Sequence, residues 1–161
     1  MIHLLDLDNC ISNDGWRIPF INFEEKHPDK RYHQYHMLSA FDEFCNRQVC
    51  GVPGTTIIIL TARPEVYRNV TEKWLEKNGV NWDMLLMRDD GDHRHSVDLK
   101  RAMLERLYTL GVRRSAIVKA WDDREDIVEM YKSQGIDAGV VKCHNVSSYA
   151  PEHAIRKDAA A

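Results

Sequence analysis

The chain has 161 residues, 43% hydrophobic and 29% charged, the balance of one globular domain large enough to bury its own core. Its formal net charge of −3 excludes a long electrostatic track for nucleic acid, so any such contact is expected to be local and short. No apolar run approaches the roughly 20 residues that span a bilayer, and no Gly-rich loop followed by Lys and Ser or Thr marks a kinase-type phosphate site.

In chain order, short apolar runs alternate with helix-patterned stretches, which predicts an α/β fold with a mainly parallel sheet. Ile2 to Leu7 reads as the first strand. Residues 9–35 follow as an aromatic, polar segment without a strong period, holding Trp16, Phe20, Phe23, Tyr32 and Tyr35 beside Lys26, Lys30 and Arg31. This segment reads either as a small lid over a site or as a packed extra loop. A helix over about His36 to Val49 would place Met37, Phe41, Phe44 and Cys45 on one face. Thr56 to Leu60 is a β-branched run suited to a buried central strand.

Pro64 suits the first position of a helix that carries Val66, Val70, Trp74 and Leu75 and exits at Gly79. Met84 to Met87 is a further strand. The next helix runs from about Val97, buries Leu99, Met103, Leu107 and Leu110, and stops at Gly111. Ala116 to Trp121 and Ala138 to Val141 are the last strands, with a short helix through Ile127, Met130 and Tyr131 between them. The expectation is one domain over residues 1–155, with 156–161 a disordered tail. Cys10, Cys45, Cys50 and Cys143 have no C-x-x-C spacing. With no leader-like segment at the start, they read as free thiols in a reducing cytoplasm.

Four sites along this pattern carry polar chemistry. Asp6 and Asp8 stand at i and i+2 where the first strand ends, so they project to one side, where ligands of parallel α/β sheets bind. Taken alone, the pair also fits a capped turn. Thr61 and Arg63 end the second strand, offering a hydroxyl and a bidentate guanidinium to an anion; a plain helix cap with a surface Arg fits them equally. Lys100 sits early in a helix beside Leu99 and Met103, either reaching a site or snorkelling to water. Asp122 and Asp123 end another strand and mirror Asp6 and Asp8.

Together these residues bring five oxygen donors and a lysine to one rim. Such a set fits a hard cation, most simply Mg²⁺, and phosphoryl transfer through an aspartyl-phosphate. His93 and His95, and His33 and His36, lack a third ligand nearby in sequence and read as solvated loop residues.

The order Asp-x-Asp, Thr, Lys, Asp-Asp resembles the four motifs of the haloacid dehalogenase superfamily across nearly the whole chain. The resemblance implies a three-layer Rossmann-like fold with a small or absent cap. It implies Asp6 as nucleophile, Asp8 as acid and base, Thr61 as phosphate-binding hydroxyl and Lys100 as charge stabiliser. Asp122 and Asp123, with Asp6 and the Asp8 carbonyl, would hold Mg²⁺.

Residues 57 to 145 resemble more closely the phosphatase half of phage polynucleotide kinase/3′-phosphatases. The shared features are Thr61-Ala62-Arg63-Pro64, Thr71-Glu72-Lys73-Trp74-Leu75, Leu86-Met87-Arg88, Gly91-Asp92-His93-Arg94, Asp122-Asp123-Arg124 and Val128-Glu129-Met130. That likeness implies a 3′-phosphate on a nucleotide or nucleic-acid end as substrate, with Arg63 and Arg94 as contacts to it. Asn9-Cys10 stands where the superfamily usually has Gly-Thr. Asn tolerates left-handed dihedrals, so the turn is expected to survive, while Asp8 loses a hydroxyl buttress. Two further readings stay open: a 5′-(deoxy)nucleotidase acting on mononucleotides, and a catalytically idle nucleotide-binding protein.

Overall fold

The computed structural model describes residues 1–146. Its centre is a five-stranded parallel sheet built from β1 (Ile2–Leu5), β4 (Thr56–Pro64), β5 (Met84–Arg88), β6 (Ile117–Asp122) and β7 (Ala138–Val140), in the order β5-β4-β1-β6-β7. A separate two-stranded antiparallel ribbon pairs β2 (Ser12–Asn13) with β3 (Glu43–Phe44). The helices are α1 (Pro28–Arg31), α2 (His33–Met37), α3 (Arg68–Lys77), α4 (Ser96–Thr109) and α5 (Glu125–Ser133).

Strand alternation divides the core in two. Leu4, Ile58, Leu60 and Ala120 face α4 and α5, whose Leu99, Met103, Leu104, Leu107, Ile127 and Tyr131 complete one layer. Leu5, Ile57, Ile59, Leu85 and Met87 face the other way, onto Trp74 and Leu75 of α3 and onto Ile11 and Val49. The result is a three-layer α/β fold with β1 at the centre of the sheet, flanked by β4 and β6. The three strand ends that carry the acidic and hydroxyl residues are therefore neighbours. Among the described residues no helix is long and apolar enough to cross a membrane.

Several local expectations differ from the structure. Helix 36–49 does not form: α2 ends at Met37, and short 3₁₀ turns at Leu38–Phe41 and Arg47–Cys50 flank β3. Asp42 adopts an extended backbone (φ −64°, ψ 141°) and Asn46 a left-handed one (φ 56°), either of which stops a helix. Phe41 is 72% exposed, so the apolar period there did not mark a core face.

Pro64 ends β4 rather than opening a helix; a 3₁₀ turn at Glu65–Tyr67 precedes α3, and Val66 faces solvent. Leu110 caps α4 and is 60% exposed rather than buried. The segment 9–35 is ordered into β2, a 3₁₀ turn at Gly15–Phe20 and α1, with Ile18, Ile21 and Tyr35 forming a small core of their own. The expected tail at 156–161 lies outside the described residues. Cys45 and Cys143 are paired as a disulfide, with Cα atoms 6.2 Å apart, whereas Cys10 and Cys50 are free. A separation of 98 residues left no spacing signal for that pair.

Candidate active site

The strand ends of β1, β4 and β6 open into a cleft of about 1020 Å³. Asp6, Asp8, Thr61, Lys100, Asp122 and Asp123 all line it. Lys100 does not snorkel. It is 2% exposed, and its ammonium donates to Asp6 at 2.7 Å and to Asp122 at 2.5 Å. The periodicity of α4 explains this, because Lys100 follows Leu99 and precedes Met103 on the stripe that faces the sheet.

Asp6, Asp122 and Asp123 each offer a carboxylate oxygen within 4.8 Å of the others. Lys100 pairs with two of the three acids, and one ammonium cannot balance three ionised carboxylates. Burial and the neighbouring Asp122 push the Asp6 carboxyl up to about 7, against the pull of Lys100. Burial together with Asp6 and Asp122 pushes Asp123 up to about 10. For Lys100, burial opposes the charge, but Asp122 and Asp6 outweigh it and hold the ammonium well above its usual range. A convergent, oxygen-only donor set with excess negative charge fits a hard divalent cation such as Mg²⁺.

Asp8 has different company. Its carboxylate accepts from Arg63 Nη2 at 2.6 Å and from Arg63 Nε at 3.1 and 3.2 Å, and it is also bonded by Arg17. Burial alone would raise its carboxyl, but Arg63 and Arg17 outweigh burial and hold it well below the usual range. Arg17 is fully buried and also clamps Asp42 at 2.8 Å, while its ring partner Tyr35 lies 4.1 Å beneath the guanidinium. Ser12 links Asp42 to Arg63: it donates to Asp42 at 2.5 Å and accepts from Arg63 at 3.1 Å. Two guanidiniums thus hold Asp8, which has Cys10 rather than a Thr hydroxyl two residues on. Arg17, Tyr35 and Asp42 carried no signal in sequence, because each acts through a partner several to many residues away on another element.

Arg63 is 1% exposed, behind Asp8 rather than on the cleft wall, and also donates to Thr71 at 3.2 Å. Thr61 is buried at the cleft floor, its hydroxyl accepting the Arg63 backbone N–H at 3.2 Å. Arg94 is exposed on the rim, paired with Asp92 at 2.8 Å. Arg88 organises that loop by donating to the carbonyls of Ala62 and Arg94. His95 lines the cleft as the cap of α4, accepting from the Val97 N–H, and His33 is bonded to the Tyr67 hydroxyl.

Asn9 takes the expected left-handed conformation (φ 60°) and ties the site together. Its amide donates to Asp123 at 3.3 Å, and its carbonyl oxygen accepts from the backbone of Cys143 and His144.

No curated protein matches the chain. A chain of the Pnkp1/Rnl/Hen1 RNA repair complex superposes with a TM-score of 0.62 at 24% identity, covering 87% of this chain and 42% of that one. A second Pnkp1/Rnl/Hen1 structure gives 0.63 at 23% identity, covering 90% and 47%. This chain thus spans less than half the length of those relatives. A Clostridium difficile crystal structure described as a phosphatase gives 0.57 at 14% identity, covering 85% of this chain and 82% of that one. These likenesses establish the fold. The family described as the polynucleotide kinase PNKP phosphatase domain matches residues 1–146. The chain is therefore a phosphatase of the haloacid dehalogenase superfamily and belongs to the polynucleotide kinase PNKP phosphatase domain family.

Proposed function

We propose that this phosphatase removes 3′-phosphates from nucleic-acid ends or nucleotides, with Mg²⁺ as cofactor and Asp6 as nucleophile. The observation that carries the reading is the buried Lys100 shared between Asp6 and Asp122 beside Asp123. Asp6 and Asp122 already pair with Lys100, and Asp123 adds a third oxygen donor to the same rim, a set that suits a divalent cation.

Asp6, Asp122 and Asp123, with the Asp8 carbonyl, would hold Mg²⁺, which when bound offsets the charge of the phosphoryl oxygens. Lys100 keeps Asp6 oriented, and the Thr61 hydroxyl retains its proton to donate to a phosphate oxygen. The Asp6 carboxylate oxygen bonds to phosphorus as the bond from phosphorus to the 3′-oxygen breaks, and the departing alkoxide takes a proton from Asp8. Water then bonds to phosphorus and gives its proton to Asp8, and orthophosphate leaves Asp6. Before substrate binds, Arg17 and Arg63 keep Asp8 ionised, the form needed for the second step. An arriving phosphate dianion raises the proton affinity of Asp8, which takes up a proton from solvent for the first step and returns one to solvent after the second. Arg63 acts in this scheme as a positioning residue for Asp8, and Arg94 as a rim contact to substrate.

The cleft, at about 1020 Å³, is larger than one phosphate requires and lies at the top of the roughly 300–1,000 Å³ usual for small-ligand sites. Its wall carries Tyr32, a ring on which a terminal base can stack, with Arg88 and Arg94 nearby for flanking phosphates. An RNA end is within this class, in keeping with the RNA repair complex that contains the similar Pnkp1 chain.

The test is phosphate release, in Mg²⁺ and in EDTA, from matched 3′- and 5′-mononucleotides and from an oligonucleotide ending in a 3′-phosphate. Mg²⁺-dependent release favouring 3′-phosphates is the expected result. Preference for 5′-mononucleotides would move the substrate to a nucleotidase class, and no release from any of them would overturn the nucleotide reading.

A further inference from the structure

Asp14, at the start of the turn that carries Arg17, is 1% exposed and takes no part in the chemistry above. One of its oxygens accepts from the Tyr35 hydroxyl at 2.5 Å, and the other is bonded by Nε2 of His144. The Val146 backbone N–H donates to Nδ1 of the same imidazole at 3.0 Å, so Nε2 carries the ring proton and points it at Asp14.

The ring is seated in a shaped place. A Cβ at Gly15 would lie 3.0 Å from its Cδ2, so the absence of a side chain there lets the imidazole pack against the backbone. The backbone N–H groups of Cys143 and His144 both donate to the Asn9 side chain, at 3.0 and 2.9 Å.

These contacts close a ring around Asp8. His144 is bonded to Asn9, the residue after Asp8, and to Asp14; the Asp14 carbonyl accepts the Arg17 N–H at 3.1 Å; and Arg17 bonds Asp8. We propose that His144 is a positioning residue for the reaction: through Asp14 it fixes the turn that holds Arg17 on Asp8, and so sets the aim of the acid/base carboxyl. The inference rests on the reading of Asp8 as acid and base. Cys143, next to His144, is also joined to Cys45, so removing the imidazole leaves this covalent tie and the backbone bonds to Asn9 in place.

The experiment compares wild type, His144→Ala, His144→Gln, Gly15→Ala and Asp8→Asn on a nucleoside 3′-phosphate and on an aryl phosphate whose leaving group needs little protonation. His144→Ala is expected to lower kcat on the nucleotide about tenfold with KM little changed, and to affect the aryl phosphate far less. His144→Gln, whose amide can donate to Asp14, should recover most of that loss. Gly15→Ala, which crowds the ring without removing it, should give a smaller version of the same pattern if His144→Ala folds poorly. Equal losses on both substrates for His144→Ala and Gly15→Ala, with Asp8→Asn still discriminating between them, would overturn the role of His144 alone. Loss of that discrimination in Asp8→Asn would overturn the acid/base reading and this proposal with it.

Discussion

Asp6 and Asp8 leave the end of one strand two residues apart, yet they meet opposite surroundings. Asp6 joins two other carboxylates and one ammonium, and its carboxyl rises to about 7. Asp8 meets two guanidiniums and falls well below the usual range. Two identical side chains whose environments drive their proton affinities apart are a signature of divided labour. In the proposed reading the acidic pocket would take a cation and suits a nucleophile; the basic pocket is already neutralised by protein and suits a group whose position and ionisation must be controlled.

The sharpest way to break this comparison is Asp6→Asn, which removes the proposed nucleophile with little change in volume. Phosphate release should fall at least about a thousandfold while the circular dichroism spectrum and Tm stay near wild type. A variant near wild-type rate would remove the covalent mechanism.

Lys100→Met strips the acidic pocket of the ammonium that Asp6 and Asp122 share. Breaking a buried ion pair by deleting one partner typically costs about 3–5 kcal/mol, so a lowered denaturation midpoint is expected in EDTA, with part of the loss restored by Mg²⁺. An unchanged midpoint would show that the acids do not depend on that ammonium.

The acidic pocket also fixes the sign of a pH effect. Asp6 at about 7 and Asp123 at about 10 both lie above the ordinary value of 3.8. Between about pH 4 and 10 these two groups therefore hold more protons in the folded than in the unfolded chain, and their contribution to metal-free stability falls as pH rises through that window. Mg²⁺ replaces those protons, so its stabilisation should grow with pH, approaching about 2.7 kcal/mol at a hundredfold excess over Kd. Thermal melts in EDTA and Mg²⁺ from pH 5 to 9 would check this; a Mg²⁺ effect that shrinks with pH would contradict it.

The smallest effect concerns the basic pocket. Arg63→Lys keeps the charge but loses the two-pronged grip on Asp8. About a tenfold fall in kcat on a nucleoside 3′-phosphate is expected, with little change in KM. A rise in KM alone would return Arg63 to the role of direct substrate contact.

The two pockets differ also in how far they were legible in sequence. Strand ends announce themselves through β-branched runs such as Thr56 to Leu60, and the two-residue repeat along β1 puts Asp6 and Asp8 on one side. The acidic pocket could thus be assembled from local patterns, and Asn9 in its left-handed turn followed from its own dihedral tolerance. The basic pocket could not. Arg17 reaches Asp42 across 25 residues, and His144 reaches Asp14 across 130, from segments with no period. The same polar demand explains the missing helix over 36–49: Asp42 must turn outward from a helical path to receive Ser12, Trp16 and Arg17.

The central claim, phosphoryl transfer to Asp6, is tested most directly by acid-quenching Asp8→Asn during turnover of an aryl phosphate in Mg²⁺ and mapping the peptides by mass. Without its base, the variant should hydrolyse the intermediate slowly, and the peptide holding Asp6 should gain the mass of one phosphoryl group. Turnover by wild type with no phosphorylated Asp6 trapped in the variant, or with the phosphoryl group on another residue, would contradict the account.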